Sequence, residues 1–329
     1  MSRSRRFRFS AWRSVRAFGA GLLPGLLSVQ VLSALMLAAL VLAVSACAPR
    51  VQLPRFDDAA ANHAAFRQRF VAPPVEASGV AVRASLLYST RERTNRTDVQ
   101  LFGDYARPLR LDVRAGFGAM LALMREDASG LLAFYPEKSR AYAHTDPVIG
   151  AQLLGMPFPF SMRDLALVLS GHFGTLVPTD TATGAAPTEI RALPDGSFAY
   201  SYADGPVRLL VVDPHGRPQR MEGVLSRYFK TQAEREGELV SGPRLWNLVF
   251  SDFPEDDGDP EGPPRVLTLG LPKGESAVLR VKALEKRAQV WPLKSLALRL
   301  PAGSSFMSLD YKATVPVAES DVITGGGLK

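Results

Sequence analysis

The 329-residue chain carries 39 basic and 32 acidic residues, four histidines and one cysteine, and 47% of it is hydrophobic. Six arginines fall within the first sixteen residues, so the rest is nearly neutral, at 33 basic against 32 acidic. That balance gives no electrostatic case for nucleic-acid binding, and a lone cysteine excludes an internal disulfide, so the fold must rest on its apolar core.

Arg3, Arg5, Arg6, Arg8, Arg13 and Arg16 form a basic stretch without an acid, and a long apolar run follows it to Val44-Ser45-Ala46-Cys47-Ala48. A basic head, an apolar middle and small residues before a cut are the grammar of a secretory signal. Cys47, placed directly after the small residues, resembles a bacterial lipobox, whose thiol receives diacylglycerol before cleavage. Acyl groups on sulfur and on the new amino terminus satisfy the two-signal requirement for stable anchoring. The competing reading is an uncleaved helix over Phe18 to Ala46, but Pro24, Ser28 and Gln30 interrupt its first half. The cleaner run from Val31 to Ala46 falls short of the ~20 residues a span needs. Ser4-Arg5-Arg6 is a poor twin-arginine motif, because Arg8 stands where that motif wants an apolar residue. Residues 1–46 thus read as a signal peptide and 47–54 as a lipidated tether.

One helix follows, with Phe56, Ala60, His63, Ala64, Phe66, Arg67 and Phe70 at roughly helical spacing and Pro73-Pro74 as its stop. Strands then dominate. Val80 to Leu86 alternates in part, and Leu109 to Arg114 alternates strictly, with Leu109, Leu111 and Val113 on one face. Ala119 to Arg125, Leu131 to Tyr135 and Ala141 to Ala143 continue an antiparallel meander. Asp146 to Leu154 reads as a short helix, and Gly155-Met156-Pro157-Phe158-Pro159-Phe160 as a rigid apolar link. A second helix opens at Ser161, whose hydroxyl caps it with Asp164 at the third position, and Gly171 closes it. Strands resume at Thr188 to Leu193, Phe198 to Tyr202, Val207 to Val212, Gln219 to Leu225, Leu245 to Phe253, Arg265 to Leu271, Ala277 to Leu284 and Leu293 to Leu300. The sum is a mainly β, α+β domain of about eleven strands over 55–312, with 313–329 as a flexible tail.

Catalytic and metal signals are weak. His63, His144, His172 and His215 are scattered without metal-ligand spacing, and no nucleophile elbow occurs. Gly116-Phe117-Gly118 lacks the third glycine of a nucleotide loop. The acids of Glu255 to Glu261 do not alternate as a calcium loop requires, and suit a solvated hairpin tip. No enzyme, cofactor or metal is expected. More informative are Met and aromatic side chains drawn from strands and helices alike: Met120, Leu123, Met124, Leu132, Phe134, Leu154, Met156, Phe158, Phe160, Leu165 and Leu169. Read from the residues alone, they fit either an ordinary filled core or an adaptable lipid-facing wall.

Met156-Pro157-Phe158-Pro159-Phe160-Ser161-Met162-Arg163-Asp164-Leu165 resembles the LolA/LolB family of lipoprotein-localisation factors, its LolB branch most. That family carries a similar Gly-Met-Pro-apolar-Pro link running into a helix that reads Leu-Arg; here Met162 stands where the Leu would be. The order of features also agrees over nearly the whole chain, from lipobox to returning strands, with Gly116-Phe117-Gly118 at the centre of a strand-turn-strand. The resemblance implies a curved antiparallel half-barrel, covered by the amino-terminal helix and two lid helices around an apolar cavity for acyl chains. Leu111, Val113, Met120, Leu123, Leu132, Phe134, Leu154, Met156, Phe158, Phe160, Leu165 and Leu169 would line cavity and lid. Gly116, Phe117 and Gly118 would form a membrane-insertion loop. It further implies a monomer on the periplasmic face of the outer membrane, where Ala48 lacks the Asp of a retention signal. There it would accept or insert lipoproteins, with a periplasmic LolA-like carrier as partner. A structural or partner-binding envelope lipoprotein of the same fold is the alternative. The region 227–262 is longer than in a minimal family member.

Overall fold

The computed structural model describes residues 54–71, 78–156, 158–177, 186–224, 245–254, 262–271 and 274–310, and the backbone of 313–316 and 322–323. All belong to one compact unit, Val51–Lys329. The signal peptide, Cys47, Pro73-Pro74, Pro157, residues 225–244 and the acidic 255–261 segment lie outside the described residues.

Helix α1 (Ala59–Phe66) begins where the Asp58 carboxylate accepts from the Ala60 N–H at 3.0 Å, and it runs on into a π-helical turn, Arg67–Val71. Its register turns Phe66 and Phe70 inward, where their rings meet at 6.0 Å and both approach Phe173. Strands β1 (Gly79–Ser89), β2 (Thr94–Asp104), β3 (Leu109–Ala115), β4 (Met120–Asp127), β5 (Gly130–Tyr135) and β6 (Arg140–His144) form the antiparallel meander. Two helices interrupt it. In α2 (Pro147–Leu153) the Asp146 carboxylate accepts from the Val148 and Ile149 N–H groups. In α3 (Met162–Leu169) Ser161 and Asp164 form a complete capping box, and Gly171 beyond it adopts φ +85°.

The chain then returns through β7 (Glu189–Ala192), β8 (Phe198–Ser201), β9 (Val207–Val212), β10 (Pro218–Val224), β11 (Leu245–Ser251), β12 (Val266–Gly270) and β13 (Ser276–Arg287). The twelve-residue β13 pairs with β1 along its length, which fuses the two runs of strands into one curved, open sheet. A helical turn, α4 (Leu293–Leu296), and β14 (Leu298–Arg299) lead to β15 (Ser305–Ser308). The backbone of β16 (Ala313–Pro316) pairs with β15, and that of β17 (Val322–Ile323) with β14; both lie in the segment read as a tail.

Three expectations need correction. The main sheet has fifteen strands among the described residues, where about eleven were expected. It is mixed, because β15 pairs with β6 in parallel. Leu293 to Leu300 is a helical turn followed by a two-residue strand, where one strand was expected. Strand β2 escapes notice because it is polar on one face: Arg96, Asp98 and Gln100 alternate with Thr97, Val99 and Leu101.

Alternation sets one continuous apolar face. Val80, Val82 and Ala84 of β1 lie in register with Val99 and Leu101 of β2, then with Leu109, Leu111 and Val113 of β3. In the other direction the row passes through Leu279, Leu267, Phe250, Leu248 and Met221 to Leu210 and Tyr200. Helices α1 and α3 and the segment around Phe173 pack on this inner face. The carboxyl-terminal segment crosses the opposite, outer face. There Trp291 lies on Phe102 at 5.3 Å, Arg110 donates to the Ala297 carbonyl at 3.0 Å, and Leu298, Leu300 and Phe306 bury themselves.

Candidate functional site

Burial along the inner face is graded. At one end of the strands Val80, Val82, Leu101 and Leu109 are essentially sealed from solvent. Toward the other end Leu86 and Tyr88 of β1, Val113 of β3 and Tyr135 of β5 are only half-buried, and Leu111, opposite the sealed Leu101, is half-buried as well. The helices facing them show the same character: Leu154, Met156, Phe158, Met162 and Leu165 are half-buried, whereas Phe160 and Leu169 are buried. Among the described residues, the inner face is therefore a packed core at one end and an incompletely covered apolar trough at the other.

The hairpin between β3 and β4 stands at the open end. Gly118 N–H donates to the Ala115 carbonyl and Ala115 N–H to the Ala119 carbonyl, both at 2.8 Å, and Gly118 takes φ +92°, which closes the turn. A Cβ built at Gly116 or Gly118 would meet nothing within 4 Å, and Phe117 between them is 89% exposed. Leu121, the second residue of β4, is also exposed. Strand pairing fixes both neighbours of this loop, so no packing explains why an aromatic occupies its tip.

The lid is tied down at the sealed end. Glu126, at 0% exposure, accepts the Met162 N–H at 2.6 Å and pairs with Arg107 at 2.9 Å. Arg163 donates to the Tyr105 carbonyl at 2.6 Å, and the Tyr105 hydroxyl donates to Ser170 at 2.8 Å. Helix α3 is thus held at both ends onto β4 and the β2–β3 turn. Burial pushes the Glu126 carboxyl above its usual range, opposed by Arg107 and the Met162 N–H. Burial likewise lifts the Tyr88 hydroxyl, beside Glu275, to about 12.

Not all the residues expected to line the trough meet there. Leu111, Val113, Leu154, Met156, Phe158, Phe160, Leu165 and Leu169 share the inner face with the lid. Leu123, Leu132 and Phe134 do not. They point to the outer face and pack with Ala141 beneath Leu298, Leu300 and Phe306. Met120, paired with Arg114 beside a bulge, joins no cluster. The reason is parity: β4 and β5 are apolar on both faces, so a residue's type does not disclose its side. Conversely Leu86, Tyr88, Tyr135, Met162 and Glu126 belong to the site and went unassigned. Extending the alternation of β1 by two residues would have found Tyr88.

Three of the four histidines have partners within the fold. His63 accepts or donates to the Tyr202 hydroxyl at 2.9 Å and lies on Tyr200, and burial, with Arg67, lowers its pKa to about 4. His144 accepts from the Asp146 N–H at the start of α2, and His215 sits in the turn whose N–H groups Asp213 accepts. Among the described residues no three His, Cys, Asp or Glu side chains converge as a metal site, and no helix is long and apolar enough to cross a membrane.

No family model and no curated protein matches the chain. Among solved structures it is similar to a LolA superfamily protein from Nitrosomonas europaea, at 13% identity and a TM-score of 0.46, over 72% of this chain and 96% of that one. It is also similar to a putative outer membrane lipoprotein-sorting protein domain from Vibrio parahaemolyticus, at 12% identity and a TM-score of 0.39, over 66% and 88%. A third likeness is to a DUF1329 family protein from Desulfovibrio piger, at 11% identity and a TM-score of 0.40, over 69% and 92%. All three TM-scores lie below 0.5, so what this chain does is read from its own geometry.

Proposed function

We propose that this chain is a lipoprotein, cut before Cys47 and anchored at the periplasmic face of the outer membrane, that takes acyl chains into the open end of its inner face and delivers lipoproteins to the membrane. The observation that carries the reading is the juxtaposition at one end of the sheet. A half-covered apolar trough, with Met156 and Met162 in its adaptable lid, ends beside a hairpin that exposes Phe117. An acyl chain completes the burial that Leu86, Tyr88, Val113 and Leu165 lack, and each methylene removed from water contributes about 0.8 kcal/mol. The Phe117 side chain entering lipid contributes about 1.5–3 kcal/mol, enough for a transient dip and too little for an anchor.

A hydrophobic fluorophore titrated into the folded Val51–Lys329 unit tests the binding step. Saturable binding, displaced by a fatty acid, is expected. Its absence from a sample with intact circular dichroism would favour the second reading, a structural or partner-binding envelope lipoprotein, for which the fully packed half of the inner face speaks. Growth of cells depleted of LolB but supplied with this chain tests delivery itself. Lipidation has its own check: Cys47→Ala should accumulate a slower-migrating precursor, and a normally processed mutant would refute the anchor.

A further inference from the structure

The end of the sheet that carries Phe117 is also rich in unpaired cations. Pairing of Thr97 with Ala115 sets the β1–β2 hairpin beside the Phe117 hairpin, so Arg96 neighbours Gly116 and the turn bearing Arg91 and Arg93 lies just beyond. Arg114 precedes the Phe117 loop on the adjoining strand, and Lys138 and Arg140 occupy the β5–β6 turn at the same end. All six are exposed, and among the described residues none forms an ion pair. The nearest acids on the strands are already engaged: Asp98 by Lys282, and Asp112 by Arg110. Glu92 and Glu137 stand exposed in the same turns, and Glu275, beside Tyr88 and Arg93, borders the patch from the start of β13, so three carboxylates face six cations.

The opposite end of these strands reverses the pattern. Asp104, Glu126, Asp127, Asp146 and Asp310 gather there, and each accepts hydrogen bonds from the chain itself. Carboxylates are thus consumed in holding the fold at one end, while guanidinium groups are left to solvent around an exposed aromatic at the other. Five of the six cations there or beside the loop are arginine, the side chain whose planar fork matches a phosphate diester.

We propose that Arg91, Arg93, Arg96 and Arg114 seat the Phe117 end of the sheet on anionic phospholipid headgroups, so that Phe117 enters lipid chiefly where the leaflet is negatively charged. The inference rests on Phe117 being the membrane-facing loop and names the surface that loop selects. The geometry has the right order of layers: Phe117 and Leu121 supply apolar insertion, and the arginines stand one strand away at the level of the phosphates. Each cation held within a Debye length of about 8 Å of an anionic leaflet favours docking roughly fivefold. Loss of three therefore weakens it by on the order of a hundredfold.

The test uses the full chain, processed and lipidated by the cell, with Phe117→Cys carrying an environment-sensitive fluorophore. Cys47 is the sole other cysteine, and the unsubstituted chain reports its background. The protein is reconstituted into vesicles of phosphatidylcholine alone or of an equal mixture with phosphatidylglycerol. A blue shift confined to the anionic vesicles, reversed by high salt and lost in the Arg91→Gln, Arg96→Gln, Arg114→Gln variant, is expected. An equal shift on both vesicles, or one indifferent to salt and to the three substitutions, overturns headgroup selection and leaves the insertion loop standing. No shift on either vesicle overturns both, and leaves an acidic protein surface as the occupant. Because the salt arm uses unaltered arginines, a misfolded triple variant would not shield the proposal.

Discussion

Strands β4 and β5 present two apolar clusters one residue apart, and their covers differ. On the outer face Leu123, Leu132, Phe134 and Ala141 lie under Leu298, Leu300 and Phe306, a segment locked in place by the parallel pairing of β15 with β6. On the inner face Ala122, Met124, Leu131 and Ala133 lie under Leu154, Met156 and Met162, contributed by two short helices and a link. The first cover is stitched to the edge of the sheet by the backbone pairing of β15 with β6, and Arg110 of β3 holds it at the Ala297 carbonyl. The second is pinned at its far end through Glu126, Arg107 and Tyr105, and its near residues keep part of their surface. A sealed core and a binding trough are thus made of similar side chains. What separates them is how completely, and how firmly, the covering chain is held.

That contrast has measurable consequences. The largest is expected at Phe134, where Phe134→Ala should cost about 3–5 kcal/mol in denaturant unfolding and leave fluorophore affinity of the folded fraction unchanged. An unaltered midpoint would break the claim that the outer cluster is a sealed core. Leu165→Glu, on the half-buried lid, should cost only about 1 kcal/mol yet weaken fluorophore binding at least about tenfold, because a carboxylate then faces the trough. If instead stability collapses and affinity in surviving protein holds, the two faces are not functionally distinct.

Glu126 sharpens the account of the latch. Its folded pKa is raised by burial, so the folded state holds this proton more tightly than the unfolded chain does. Its contribution to stability is therefore fullest below the ordinary carboxylate range and is lost as pH rises through the folded value. Thermal midpoints measured across that window should fall less steeply in Glu126→Gln than in the unaltered protein; identical slopes would mean that the carboxyl titrates as if exposed. The smallest stability effect is expected at Phe117, where Phe117→Glu should shift unfolding by no more than about 0.5 kcal/mol and yet impair transfer to membranes. A variant both stable and fully active in transfer would remove the role assigned to the loop.

Much of this was legible in the residues. Ser161 and Asp164 announced the start of α3 because a capping box satisfies its own local hydrogen bonds, whatever the surroundings. Strict alternation over Leu109 to Arg114 gave β3 its inner face, since period two matches the pleat. Strand β2 was missed because its outward residues are polar and its inward ones few. The parallel strand β15 was missed because Phe306 alone marks it as buried, and its partner β6 lies more than 160 residues earlier in the chain.

Local chemistry by itself determined the caps, the turns, the β3 alternation and the oddity of an aromatic between two glycines. Each is decided by hydrogen bonds or steric limits spanning a few residues. Only the tertiary structure decided which side of β4 and β5 faces the lid. Leu131, Leu132, Ala133 and Phe134 are all buried, so their sequence holds no polar residue to mark an outside. Two covers from opposite parts of the chain compete for those two faces. Which one lands where follows from long-range pairing, β13 on β1 and β15 on β6, that no local pattern encodes.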